Sequence, residues 1–206
     1  PGLVKELVSG QLALNLHAGL FTYGADTSVV PYLVSEYDVS DDGLVYTFTL
    51  RDDAVWHNGR PIVAEDFKKG WERYLDPNVG AQTAGEPWEE VVGGPELFAG
   101  EAEELAGVQA LDDQTLQVTL SRPSLDFLQN LAVPVMWVVP EEAVVEGQPQ
   151  WVGDPVGAGP FKFVEWTPNS KIVLEANPDF FLGKPEVDRV EFVIVPDTST
   201  ALAQFE

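Results

Sequence analysis

The side chains best suited to chemistry are few and scattered. The chain has two histidines, His17 and His57, and no cysteine. A zinc site or hydrolytic triad needs several such groups converging, and neither histidine has partners at a suitable spacing. His17 falls within the Leu12–Leu20 stretch, which reads as helical, and is expected in a core or groove. His57 precedes Asn58-Gly59 and is expected as a turn residue. Without cysteine there is no disulfide, thiolate metal site or thiol nucleophile. Asp38 to Gly43 begins like an EF-hand loop, but Thr49 stands at the twelfth position, where that loop needs a bidentate glutamate. Gly157-Ala158-Gly159 lacks both the Gly-Lys-Ser/Thr of a phosphate loop and the third glycine of a dinucleotide turn. The acid pairs Glu89-Glu90 and Glu141-Glu142 are adjacent, and neighbours on a helix diverge by about 100°. They are poorly placed for acid–base work. No catalytic residue, metal ligand or cofactor is therefore nominated. A hydrolase built on carboxylates from distant segments is the one enzymatic alternative.

The six tryptophans are the other conspicuous groups. Trp56 and Trp71 read as core. For Trp88, Trp137, Trp151 and Trp166 core is the better reading and lining of a ligand cleft the other.

The elements that must position these residues follow from composition and pattern. A chain of 206 residues, 45% hydrophobic, has the material for one large domain or two small lobes. Thirty-four acids against eleven bases give a net charge of −23. Such a surface repels phosphate backbones, so nucleic acid is set aside, and the acidity reads as a solvated surface. No apolar run approaches the roughly 20 residues of a membrane-spanning helix, and no signal-peptide pattern opens the chain.

Strict alternation over Val45–Leu50, with Tyr37 and Val39 before the Asp41-Asp42-Gly43 turn, predicts a β-hairpin. Val29–Val34 contains Pro31 and reads as a connector or edge. Ala64–Leu75 is an amphipathic helix, with Phe67, Trp71, Tyr74 and Leu75 on one face and Glu65 and Asp66 in its first turn. Residues 78–107 read as loops with one short helix near Pro95–Ala99. Val108–Leu120 predicts a second hairpin around Asp112-Asp113. Ser124 is expected to cap a helix running to about Leu131. Val133–Val139 reads as a buried strand, and Pro140 as the first residue of a helix ending at Gly147. After the bend at Gly157–Pro160, Phe161–Trp166 and Ile172–Ala176 predict antiparallel strands, and Val190–Val195 a fully buried one. Asp197 is placed to cap a final helix. That helix stops at Glu206 after about two turns and would be marginal alone, so the chain reads as cut within a larger protein.

Four blocks in this order resemble the family 5 extracellular solute-binding proteins, which include oligopeptide and dipeptide binders. The first is Gly19-Leu20-Phe21-Thr22-Tyr23 with Val30-Pro31-Tyr32-Leu33 and Ser40 to Arg51. The second is Trp56-His57-Asn58-Gly59-Arg60-Pro61 with Ala64-Glu65-Asp66-Phe67 and Trp71-Glu72-Arg73. The third is Val108 to Leu116. The fourth is Gly157-Ala158-Gly159-Pro160-Phe161-Lys162-Phe163, followed by Leu174-Glu175, Asn177-Pro178-Asp179 and Val187-Asp188-Arg189-Val190. One departure is Val63, where the family often has a capping threonine.

The resemblance implies a mixed α/β (α+β) fold of the periplasmic-binding-protein-like type II, with the N-terminal lobes only and truncated. It places 1–35 and 155–206 in lobe I and 36–154 in an inserted α+β lobe II, and leaves lobe III outside this chain. The implied function is the substrate-binding component of an ABC importer, a monomer outside the cytoplasmic membrane that delivers peptides or related solutes to permease subunits. The implied location is periplasmic or cell-surface, with a lipid anchor in the full-length protein as one form of the latter. Ligand contacts carried over by the resemblance are Leu7, Val8, Ser9 and Gly10, with Phe161 and Trp166 near the cleft. A nickel chelate and an oligosaccharide are the other ligand classes, and a receptor or chaperone module of the same fold is the alternative role.

Overall fold

The computed structural model of the chain describes residues 7–79, 88–144 and 155–195. Helix α1 spans Leu7–Leu16, and strands β1 (Phe21–Tyr23) and β2 (Val29–Pro31) form a small antiparallel ribbon. The helix expected over Leu12–Leu20 thus ends four residues early. Leu20 is buried beyond it, in the main core.

The two predicted hairpins form and then join. Strands β3 (Val34–Val39), β4 (Val45–Leu50), β5 (Val108–Ala110) and β6 (Thr115–Thr119) make an antiparallel sheet in the order β3-β4-β6-β5. Gly43 takes φ 71° in the first turn, a conformation that L side chains adopt at a cost. Because strand residues alternate, Tyr46, Phe48, Leu116, Val118 and Val108 share the buried face. The opposite face carries Thr47, Thr49, Thr115, Gln117 and Gln109.

Helix α2 (Ala64–Leu75) covers the apolar face, packing on β5 and β6. It buries the Phe67, Trp71, Tyr74 and Leu75 predicted from its pattern, each contributing about 2 kcal/mol. Val63 at its N-cap is extended and its side chain caps nothing. Half a capping box remains, because the Asp66 carboxylate accepts the Val63 N–H at 3.1 Å. The first helical N–H, of Ala64, donates to the Asp113 carbonyl at 2.8 Å, fastening the helix start to the β5–β6 turn. A short helix α3 (Gly94–Phe98) lies where one was expected.

Residues 124–144 differ from the sequence reading. Helix α4 is only Phe127–Leu131, with Asp126 at its N-cap, while the Ser124 carbonyl accepts the Tyr46 hydroxyl at 3.4 Å. Val133–Val139 is not a strand: Pro134–Met136 forms a 3₁₀ turn. Proline lacks the N–H that a ladder requires. The segment is bound instead to α2, whose Trp71 indole N–H donates to the Met136 carbonyl at 2.8 Å. Pro140 precedes a 3₁₀ turn, Glu141–Ala143, as its N-cap. The end expected at Gly147 lies outside the described residues, as do Trp151 and the helix expected after Asp197.

Strands β7 (Phe161–Thr167), β8 (Lys171–Ala176) and β9 (Arg189–Val193) form a second antiparallel sheet in that order. Asn169 takes φ 59° in the β7–β8 turn. The strand expected to be fully buried, β9, is an edge: Arg189, Glu191 and Val193 are exposed while Val190 and Phe192 are half-buried. Its alternation is that of a sheet covered on one side. A separate small core of Leu16, Phe161, Ile172, Leu174 and Ala176 lies between this sheet and α1.

Candidate functional site

The residues singled out for ligand contact fall around α1 and the three-stranded sheet. Leu7, Val8, Ser9 and Gly10 form the first turn of α1, and α1 packs on β7. Phe161 opens β7 and pairs with Ala176. Trp166 pairs with Ile172, which also pairs with Phe192 of β9. Register shifts between Phe163 and Glu165. This irregularity restores Trp166 to the face of Phe161, since cross-strand partners share a face. Phe161, Ile172 and Ala176 belong to the core against α1, so this is the face α1 covers. Phe161 is 9% exposed within that core, whereas Trp166 is 53% exposed. The sheet therefore brings both aromatics to one side and leaves Trp166 as the accessible one. Of the other tryptophans, Trp56, Trp71, Trp88 and Trp137 are all buried.

Several functional-looking groups escaped the sequence reading. Tyr32, at the end of the β1–β2 ribbon, packs against Trp137, Phe180 and Phe181, with centroids 5.1–6.2 Å away. The Arg51 guanidinium sits 5.2 Å over the Phe181 ring, within cation–π range. Burial pushes the Tyr32 phenol up to about 12. The adjacent Phe180-Phe181 was the available signal; its partners Arg51 and Tyr32 come from segments about 130 and 150 residues earlier.

A second cluster surrounds the start of α2. Asp66, 8% exposed, accepts the Trp56 indole N–H at 3.0 Å and two N–H groups of Arg60 at 2.7 and 3.1 Å. Arg60 also donates to Glu142 at 2.8 Å, and Arg60 holds the Glu142 carboxyl down to about 2. Charged donors and acceptors matched in this way form the stronger class of hydrogen bond, and the cluster is fully engaged in structure. A groove of about 550 Å³ lies beyond it, lined by residues that include Arg51, Asp52, Ile62, Val63, Asp113 and Gln114.

His57 is more than a turn residue. Its backbone N–H donates to the Gly157 carbonyl at 2.7 Å, and its ring lies against Gly157 and Gly159. His17 is buried just past α1, consistent with the core or groove expected for it. Among the described residues, no group of three or more His, Asp or Glu side chains is placed to hold a metal ion. No described helix is long and apolar enough to cross a membrane.

An acidic mixed α/β chain with a half-open aromatic face has the architecture of periplasmic-binding-protein-like structures. A periplasmic oligopeptide-binding protein of Borrelia burgdorferi superposes with a TM-score of 0.91 at 31% identity, covering 99% of this chain and 42% of that one. The family model of the bacterial extracellular solute-binding proteins, family 5, matches residues 28–206. The chain belongs to this family. Among curated relatives, the dipeptide-binding protein DppE of Bacillus subtilis is 36% identical over 205 residues, covering 97% of this chain and 37% of the relative. The oligopeptide-binding protein OppA of the same organism is 32% identical, covering 100% and 38%. The chain thus spans about two fifths of the length of these relatives.

Proposed function

We propose that this chain supplies the first ligand-binding portion of an ABC importer's substrate-binding component, which captures peptides outside the cytoplasmic membrane and passes them to permease subunits. It acts without catalysis and as a monomer. Residues 1–35 and 155–206 contribute to one lobe and 36–154 form an inserted second lobe. What supports the first lobe is the small core of Leu16, Phe161, Ile172, Leu174 and Ala176, drawn wholly from its two segments, while the larger core joins Ala18, Leu20, Phe21, Leu33 and Ala158 to the second. The observation that carries the binding reading is the half-exposed Trp166 on the sheet face that α1 covers. The start of α1 offers backbone groups from Leu7 to Gly10 to an extended ligand, and backbone hydrogen bonds give affinity without reading side chains. An exposed aromatic on the strand that α1 packs against gives apolar contact.

The test is thermal unfolding of the full-length gene product against di- to hexapeptides, nickel chelates and oligosaccharides. A ligand of the folded state adds about 2.7 kcal/mol at a hundredfold excess over its Kd. A peptide-specific rise in Tm is expected. A rise with chelates or sugars alone redirects the ligand assignment, and no rise with any of them overturns it. The variant Trp166→Ala is expected to weaken peptide binding about tenfold or more, as for an interface anchor, with the Tm of the unliganded protein nearly unchanged.

A further inference from the structure

Both of the protein's histidines meet at one joint. The segment 155–160 leads into β7 and runs between them. On one side it is pressed onto the end of α1. A Cβ on Gly157 would stand 1.8 Å from the Leu16 carbonyl oxygen and 3.0 Å from Nδ1 of His17; a Cβ on Gly159 would stand 2.5 Å from the Asn15 carbonyl oxygen. The Gly159 N–H donates to Leu16 at 3.0 Å. On the other side His57, in the turn before α2, grips the same bend three times. Its N–H donates to the Gly157 carbonyl at 2.7 Å, its Nδ1 accepts the Gly157 N–H at 3.2 Å, and its Nε2 lies 3.0 Å from the Gly159 carbonyl oxygen. Asn177, at the end of β8, adds a bond from Nδ2 to that carbonyl at 3.1 Å.

This geometry leaves one protonation state. Nδ1 faces a donor and so must be bare; Nε2 faces an acceptor and so must carry the proton. The ring is therefore neutral, and a second proton can enter only at Nδ1, at the expense of the Gly157 bond. We propose that His57 is a proton-operated latch between the two sheet units: neutral, it clasps the 157–159 bend, and protonated at Nδ1 it releases Gly157 and frees the bend.

The surroundings resist that proton. Among the described residues, Lys162 of β7 is the charged group acting on the ring, and it is unfavourable to a further positive charge; His17 lies across the bend, near Gly157. Glu142 reaches only the neighbouring Asn58, and it is held by Arg60. Burial lowers the His57 imidazole to about 4, with the Gly159 carbonyl pulling the other way. Burial also holds His17 well below its ordinary value. An unfolded histidine takes its proton near pH 6.5. The latch's contribution is therefore complete above about pH 6.5 and is lost as the pH falls from there through about 4.

The decisive experiment is an NMR titration of the ¹⁵N-labelled protein from pH 8 to 3, following the imidazole nitrogens and the Gly157 amide together. The Nε2–H tautomer is expected at pH 7, with a His57 midpoint near 4. Protection of the Gly157 amide against exchange should fall at least tenfold across that midpoint, while β4 and β6 amides keep theirs. The variant His57→Gln cannot titrate and should lose this pH dependence. An Nδ1–H tautomer, a midpoint near 6.5, or Gly157 protection that falls only together with the core strands would overturn the latch. These readouts on the unaltered protein decide the matter even if the variant folds poorly.

Discussion

Replacing Gly157 by alanine tests how tightly the bend is seated against α1. Removing a glycine usually stabilises a fold by about 0.4–1 kcal/mol, because the unfolded chain loses freedom. Here the new methyl would stand 1.8 Å from the Leu16 carbonyl oxygen and 2.7 Å from its carbon. These are backbone atoms, so no rotamer change relieves the overlap, and the two segments must part by well over an ångström. That movement loosens the Gly159–Leu16 bond and both bonds joining Gly157 to His57. Three hydrogen bonds at about 1 kcal/mol each and a packing strain of about 1–3 kcal/mol outweigh the entropy gain, leaving a loss of about 3–5 kcal/mol. With a urea slope near 2 kcal/mol/M, the unfolding midpoint should drop by about 2 M. Gly59→Ala is the natural control. Its φ is 86° and nothing lies within 4 Å of the new methyl, so only the left-handed strain of about 1–2 kcal/mol applies. If Gly157→Ala leaves the midpoint unchanged or raises it, the close approach described for this joint is wrong.

Asp66→Ala should cost about 3–5 kcal/mol, since it strands the buried Trp56 indole N–H and breaks the partly buried pair with Arg60; chemical denaturation measures this directly. Val63→Thr supplies the missing side-chain acceptor at the α2 N-cap and should stabilise by about 1 kcal/mol, visible as a raised Tm. An alkaline absorbance titration should show Tyr32 ionising near pH 12, and Tyr32→Phe should diminish the absorbance change at that step. Because the folded phenol is raised, its contribution to stability is present below about pH 10 and lost as pH rises through 12.

The amphipathic helix over Ala64–Leu75 and the two hairpins were legible because their periods, 3.6 and 2, are written in consecutive residues. The joining of β4 to β6 was not, since pairing of Val45 with Thr119 leaves no local mark. Val133–Val139 misled because a short apolar run fits a strand or any buried segment alike, and the deciding bond comes from Trp71. The error at β9 was of the same kind, read from an apolar run without knowing it ends a sheet. At the candidate site, the resemblance nominated Phe161 and Trp166, and strand register put them on one face. The role of His57 depends on Gly157 and Gly159, a hundred residues on, which no spacing rule connects.

The strand order β3-β4-β6-β5 also sets a timetable for synthesis. The β3–β4 hairpin leaves the ribosome complete, yet the neighbour that closes the open side of β4 is made about seventy residues later. At about 5–20 residues per second, that edge waits on the order of 4–14 s with Tyr46 and Phe48 uncovered. Exposed strand edges of this kind recruit other chains. Glu36 and Asp38 on β3, with Asp41 and Asp42 in the turn, place negative charge along and beside the waiting hairpin. Charges so placed repel a second copy and act as gatekeepers against aggregation. Part of the chain's acidity thereby serves the nascent polypeptide before there is a folded surface for it to solvate.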